Sequence, residues 1–409
     1  MAYAQLPERV AAMLAEAGLP QEAVGVMAVR VADRSIVLQH RADTSMQPAS
    51  TLKTLTSIVA LERLGPTFRA RVELLASAAP VEGRIAGDLW LIGQGSVDFD
   101  AAALREMLIA LRNRGVEEIA GDVVVDRGYF APARPDLGVP PFDETPEFQY
   151  NVIPDALLLN MNLVQLEMSS GPLASGKVEA KLRTPLDNVV VASRLTLVER
   201  KCADWEQGWT TPVARRVAGG IGDSDADARI EITVSGEFPA GCKATTEVNV
   251  IDRADLADRM FRAIWRELGG TLSGRVRERG PADVLPAAPL RLAEHRGRTL
   301  AEIVRDINKR SDNPVTRVTY LHLGKLAANA PTTAEGADRV VREWLDAKRI
   351  AAPGLVLDNG SGLSRKERIT PATLALVIKA ALDSPWAPEF ISSLPIVGTD
   401  GAMRNRLTA

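Results

Sequence analysis

Apolar residues keep a helical spacing near both ends of this chain and alternate through its middle. Residues 8–17 predict a short helix. Two alternating runs follow, 24–31 and 35–39, and Ala32-Asp33-Arg34 between them reads as a hairpin turn. A polar, turn-like approach at 44–49 then leads into Leu52, Leu55, Ile58, Val59 and Leu61, spaced as one face of a helix that Gly65-Pro66 stops. From about Arg69 to Pro289 the pattern is mostly that of strands, at 85–92, 121–126, 178–183, 189–198 and 230–234, with helices at 101–114 and 253–268. Prolines cluster around 132–146 and 281–289, where crossings between domains are expected. From Thr299 the helical period returns. Thr299 and Glu302 form a capping box, and Leu300, Ile303, Val304 and Ile307 line one face. Pro314 suits the first position of the next helix, and further helices are predicted at 337–347 and 371–382, the latter capped by Thr370.

Helical segments therefore flank a strand-rich middle. This predicts an α+β chain in which both ends build one domain and the middle is an insertion. The expected division is 5–68 with 290–409 for the first domain, 69–150 with 245–289 for an inserted second, and 151–244 for a third nested inside it.

Composition narrows the classes. The 409 residues are 46% hydrophobic and 25% charged, enough to bury sizeable cores. A net charge of -3 and a pI near 5.9 give no polyanion-binding surface, so nucleic acid is not an expected partner. No apolar run approaches the roughly 18–20 residues that span a bilayer. Ala2-Tyr3-Ala4 has the form of a signal-peptide cleavage site without the regions that should precede it. One reading is an exported, periplasmic protein whose leader was replaced by Met1; the other is an ordinary start. Cys202 and Cys242 fit no zinc pattern. In an oxidising compartment they can form one disulfide, and in the cytosol they would be two buried thiols. His40, His295 and His322 are scattered, and no metal or cofactor site follows from them.

One serine stands out chemically. Ser50 and Lys53 form the only Ser-x-x-Lys of the chain, at the start of the helix that runs to Gly65. Residues three apart share a helix face, so the amine lies beside the hydroxyl and can take its proton, near the positive end of the helix dipole. Alone, the pair also fits a helix-capping serine with a solvated lysine. Ser311-Asp312-Asn313, the only Ser-x-Asn, lies between two predicted helices. Ser-Asp-Asn is the second motif of serine penicillin-recognising enzymes, and that motif implies that Ser311 would relay a proton to a leaving amine and Asn313 would donate its amide to a substrate carbonyl; Asn313 also fits the N-cap of the helix that Pro314 opens. Ser-x-x-Lys with Ser-Asp-Asn is the pairing used by serine penicillin-recognising enzymes.

With these motifs the sequence resembles the class C low-molecular-mass penicillin-binding proteins, the D-alanyl-D-alanine carboxypeptidase/endopeptidase type. The resemblance runs over nearly the whole chain. It is carried by Pro48-Ala49-Ser50-Thr51-Leu52-Lys53, Gly87-Asp88-Leu89-Trp90-Leu91 with Gly93-Gln94-Gly95, Gly121-Asp122-Val123-Val124-Val125-Asp126, Ser311-Asp312-Asn313, Asp358-Asn359-Gly360-Ser361-Gly362-Leu363-Ser364-Arg365, and Leu394-Pro395 with Asp400-Gly401. It implies a β-lactamase/transpeptidase-like domain with a large insertion forming two further domains. It also implies attack by Ser50 on the penultimate D-Ala carbonyl of a peptidoglycan stem or cross-link, with Lys53 as general base, and acylation of the same serine by β-lactams. Asp143 is similar to an acidic residue that binds the free amine of a diaminopimelate side chain; an ordinary surface aspartate is the other reading.

The family's third motif, Lys-Thr-Gly, is absent, since the sequence stops at Leu407-Thr408-Ala409. The expectation is an incomplete sequence or a weakened enzyme, and the 24–39 hairpin would keep an unpaired edge. Two rival readings are a non-catalytic peptidoglycan-binding form and a β-lactamase, the latter disfavoured by the insertion. Residues 171–177 mimic a P-loop but run into Val178 and a strand pattern, which argues against nucleotide binding.

Overall fold

A computed structural model describes residues 6–138, 145–217, 228–330 and 332–406. The chain divides into two compact units. One takes Met1–Arg69, Phe130–Pro132 and Arg298–Ala409; the other takes Ala70–Tyr129 and Ala133–Gly297.

The first unit is built around the helix Lys53–Leu64. Ile58, Val59, Ala60 and Leu61 are fully buried, so this helix is enclosed on all sides, not along one stripe. It packs against the helices Leu300–Arg310, Asn313–Gly324, Thr333–Ala347, Pro371–Leu382 and Ala387–Ser393. Their starts follow local chemistry. Thr299 and Glu302 close a reciprocal capping box, and Thr370 accepts the Thr373 N–H ahead of Pro371. The helix expected from 337 begins at Thr333 instead, because Thr332 supplies a cap that accepts from Glu335 N–H. Val26–Val29 and Ile36–His40 form the expected hairpin, with Val26 opposite His40, and it lies against the Pro371–Leu382 helix. Val31, Ile36, Val37, Leu376 and Ile378 are exposed around it.

The second unit carries the strands. A five-stranded mixed sheet runs in the order Val276–Glu278, Val123–Asp126, Leu89–Gly93, Arg71–Ala76, Leu290–Arg296. The first two pairings are parallel and the last two antiparallel. The helices Ala101–Asn113 and Arg253–Glu267 contribute Leu104, Leu108, Leu111, Phe261, Ile264 and Trp265 to its core. Two further three-stranded sheets lie between residues 164 and 248. In one, Val164–Ser170 sits between Lys243–Val248 and Val178–Leu182; in the other, Arg229–Pro239 sits between Val189–Val198 and Trp209–Val217. A disulfide joins Cys202 to Cys242, with Cα atoms 5.2 Å apart.

The expected strand 85–92 is two strands. Arg84–Ile85 belongs to a small parallel sheet and Leu89–Gly93 to the large one. Asp88 breaks the run by accepting the Asp122 N–H through its side chain at 2.8 Å. Its neighbour Gly87 lies against Gly121, where an added Cβ would come 2.5 Å from the Gly87 carbonyl carbon. That contact also delays the strand expected from 121 until Val123.

Candidate active site

Ser50 lies in a single 3-10 turn, Ala49–Leu52, that leads directly into the Lys53–Leu64 helix. Ala49 enters it in the left-handed region, φ 47. The expected helical start is therefore a tighter turn, which leaves Ser50 exposed and Lys53 buried one turn further in.

Lys53 Nζ makes three contacts. It lies 3.0 Å from Ser50 Oγ, 2.7 Å from Asn313 Oδ1 and 2.6 Å from the Ser361 carbonyl oxygen. As an ammonium it donates to all three. As a neutral amine it keeps two N–H donors for Asn313 and Ser361 and turns its lone pair to the Ser50 hydroxyl. One geometry thus serves both protonation states. Burial pulls the amine down from the usual lysine range to about 8, while the charges of Asp312 and Glu367 oppose that shift.

On its other side Ser50 Oγ accepts from Ser311 Oγ at 2.8 Å. Ser311 ends the Leu300–Arg310 helix in the left-handed region, φ 58, and Asp312 begins the next helix. Asp312, not Asn313, is the N-cap; its Oδ1 accepts the Val315 N–H at 3.0 Å. A cap needs extended backbone, and that leaves Asn313 inside the first turn with its carbonyl oxygen turned to Lys53. Pro314 accordingly takes the second position, one beyond the expected one. Burial raises the Asp312 carboxyl above its ordinary range.

Two contributors escaped the sequence reading. Gly360-Ser361-Gly362 forms a turn, and its Ser361 carbonyl accepts from Lys53 Nζ. Gly360 and Gly362 both have positive φ, and a Cβ at 362 would fall 1.7 Å from the Ala49 carbonyl oxygen. The turn therefore rests against the Ala49–Ser50 peptide. It is held by the carboxylate of Glu367, which accepts from Gly360 N–H at 2.7 Å and from Gly362 N–H at 2.8 Å. The two glycines flanking Ser361 were the available signal; nothing in sequence ties Glu367 to them.

Behind the site, Ser57, Asn308 and Ser393 form a buried hydrogen-bonded chain, and Lys309 Nζ holds Asp400 and the Leu394 carbonyl. Asp143 lies outside the described residues. Cys202 and Cys242 belong to the other unit. His40 contacts the Gln21 carbonyl, His295 contacts Asp98, and His322 packs against Phe68 and Phe130. Among the described residues no group of three His, Cys, Asp or Glu side chains is disposed to hold a metal, and no helix is long and apolar enough to cross a membrane. Residues 173–175 are a 3-10 turn that feeds the strand Val178–Leu182, so the P-loop mimic lacks its helix.

Known proteins bear on this geometry. A D-alanyl-D-alanine carboxypeptidase of Actinomadura sp. (strain R39) is 28% identical over 98% of this chain and 73% of its own length. The D-alanyl-D-alanine carboxypeptidase DacB of Haemophilus influenzae is 22% identical over 94% of this chain and 76% of its own length. The crystal structure of penicillin binding protein 4 (dacB) from Haemophilus influenzae shares the fold, with a TM-score of 0.73 at 21% identity, covering 93% of this chain and 80% of that one. A second structure of it, complexed with a β-lactam, gives a TM-score of 0.69 at 20% identity, covering 93% and 79%. The fold is thus the expected α+β, transpeptidase-like architecture with extra domains. The D-Ala-D-Ala carboxypeptidase 3 (S13) profile matches residues 6–409, and the chain belongs to that family of enzymes.

Proposed function

We propose that this protein is a serine D-alanyl-D-alanine carboxypeptidase/endopeptidase that acts on peptidoglycan stem peptides and cross-links through an acyl-enzyme on Ser50. The observation that carries the reading is the position of Ser50 Oγ between Lys53 Nζ at 3.0 Å and Ser311 Oγ at 2.8 Å. Neutral Lys53 takes the Ser50 proton as Oγ attacks the penultimate D-Ala carbonyl. The tetrahedral intermediate collapses with cleavage of the peptide bond, and the leaving D-Ala amine takes up the proton held by Lys53, relayed through Ser311, which leaves the lysine neutral again. Water then attacks the ester, with the same lysine as base, and returns the serine. With the amine near 8, about a tenth of the molecules hold Lys53 neutral at pH 7.

A β-lactam presents a strained amide to the same hydroxyl and would leave a covalent ester; β-lactam binding itself is supported by the β-lactam complex of the Haemophilus protein. The disulfide supports an exported, periplasmic setting. Asp143 is proposed as a contact for the free amine of the stem peptide. Residues 69–150 with 245–289, and 151–244 nested within them, are proposed as two inserted domains.

Intact-mass measurement after incubation with benzylpenicillin tests the reading. A single adduct mapped to the Ser50 peptide, absent in Ser50→Ala, is expected. Folded protein without an adduct refutes the acyl-enzyme and leaves a peptidoglycan-binding role; rapid turnover of a chromogenic cephalosporin points to a β-lactamase instead.

A further inference from the structure

Glu367 is fully buried, and the hydrogen bonds to its carboxylate come from backbone donors. Oε1 accepts the N–H groups of Asp358 at 3.2 Å, Asn359 at 3.0 Å and Gly360 at 2.7 Å, and Oε2 accepts that of Gly362 at 2.8 Å. A carboxylate, which only accepts, fits four amide donors; a protonated acid would turn a donor of its own into them. The turn so gathered meets the Ser50 segment and the helix that follows it at three points. The Ser361 carbonyl takes Lys53 Nζ, the Gly360 carbonyl takes Thr56 Oγ1 at 2.7 Å, and Gly362 lies against the Ala49–Ser50 peptide.

Building on the Ser50–Lys53 reading, we propose that Glu367 is a positioning residue of the acyl-transfer site. Its buried negative charge fixes the 358–362 turn against Ser50 and biases Lys53 towards its charged form. The charged groups facing Lys53 are Asp312, from the connection between the two helices, and Glu367. Glu367 also faces the phenol of Tyr320, around which Asp338, Arg342 and Asp358 are the other charges. Asp312 faces Lys53, Asp306 and Arg310. Burial holds the Glu367 carboxyl above its usual range, and the amide donors act in the opposite sense. Without the charge, Lys53 loses one of two groups that favour its ammonium, so it would deprotonate at lower pH while the turn around it loosens.

The test compares the full chain with Glu367→Gln and Glu367→Asp. Reactivity of the Lys53 amine with trace acetic anhydride, read by peptide mass spectrometry across pH, reports its titration without requiring catalysis. A wild-type midpoint near 8 is expected. In E367Q the midpoint falls by roughly half to one pH unit, the effect of removing a single nearby buried charge. E367D keeps the midpoint but acylates more slowly. The rising limb of benzylpenicillin acylation against pH moves with the midpoint in E367Q. An E367Q midpoint at or above the wild-type value, or a rate lowered at all pH values with an unmoved limb, reduces Glu367 to a loop anchor and overturns the proposal. Should E367Q lose its cooperative melt, E367D decides: a retained midpoint with slower acylation supports the proposal, and a lowered midpoint overturns it. A wild-type chain that forms no Ser50 adduct refutes the acyl-enzyme reading yet leaves the Lys53 titration readable, so the two failures are distinguishable.

Discussion

Lys53 lies 3.0 Å from Ser50, yet the lysine is 2% exposed and the serine is open to solvent. Under the proposed mechanism the nucleophile can meet a substrate, while its base is kept where water does not compete for it.

That placement predicts a pH profile. Burial depresses the Lys53 amine to about 8 from the usual lysine value of 10.5. Acylation by benzylpenicillin should therefore rise about tenfold per unit below pH 8 and level off above it. A flat profile, or a rise centred near the free-lysine value, would contradict the assignment of the base. The same shift carries a stability sign. Between about 8 and 10.5 the unfolded state binds more protons at this lysine, so its contribution to native stability grows as pH rises through that window.

Ser311 is the second partner of Ser50 Oγ, at 2.8 Å. Ser311→Ala removes the proposed relay hydroxyl and leaves Lys53 with its three contacts. Acylation should slow by about 10²-fold, with the pH midpoint unchanged, because the base is untouched. Stopped-flow measurement against wild type checks both halves; a shifted midpoint would mean that Ser311 belongs to the base itself.

Gly362, in the 358–362 turn, lies against the Ala49–Ser50 peptide. Its φ of 77 and the 1.7 Å overlap that a Cβ would make with the Ala49 carbonyl leave no room for alanine. Gly362→Ala should push the turn away from Ser50 and Lys53 and lower acylation by at least about 10²-fold. Backbone, not a flexible side chain, is the obstacle. A variant that acylates at the wild-type rate would show that the turn can be displaced without consequence.

The part of this site that sequence exposed is the local part. Ser50, Lys53, Ser311 and Asn313 carry their spacing in the chain, and helix termini mark where they fall. Ser361 acts through a carbonyl that any residue would possess, so no side-chain pattern announces it. Glu367 acts on amides five to nine positions earlier, a relation created only by the fold of the turn. Strands were hidden for a related reason. Arg71–Ala76 loses its alternation after Glu73 because Leu74, Leu75 and Ala76 are all buried, as in a strand covered on both faces. Asp312 took the cap expected of Asn313 because either side chain suits a cap, and only the three-dimensional demand of Lys53 separates them.

In the second unit, Asp155 sits between two guanidinium groups. It pairs with Arg127 at 2.8 Å and with Arg253; the side chains of Asp155 and Arg127 are each 1% exposed and that of Arg253 is 5% exposed. Asp155→Ala would leave two buried cations short of their counter-ion and should cost about 3–5 kcal/mol. Urea unfolding followed by tryptophan fluorescence measures this, since Trp90 and Trp265 are buried in this unit. A loss under about 1 kcal/mol would mean that Asp136 and Glu278, the other carboxylates on these arginines, compensate.

The disulfide constrains the same unit in a different way. Cys202 and Cys242 are 40 positions apart, and Cys242 is 2% exposed. Closing a loop of that length removes conformational freedom mainly from the unfolded chain, so the bond should stabilise the unit by about 2–4 kcal/mol. Labelling with a maleimide in denaturant without reductant should modify neither cysteine, and after reduction both. The double variant Cys202→Ser/Cys242→Ser should melt lower and yet acylate Ser50 at the wild-type rate below its melting temperature, because both cysteines belong to the other compact unit. Free thiols in the unreduced protein would remove the bridge. A variant that is stable but fails to acylate would tie this loop to the serine by a route that the site's own hydrogen bonds do not contain.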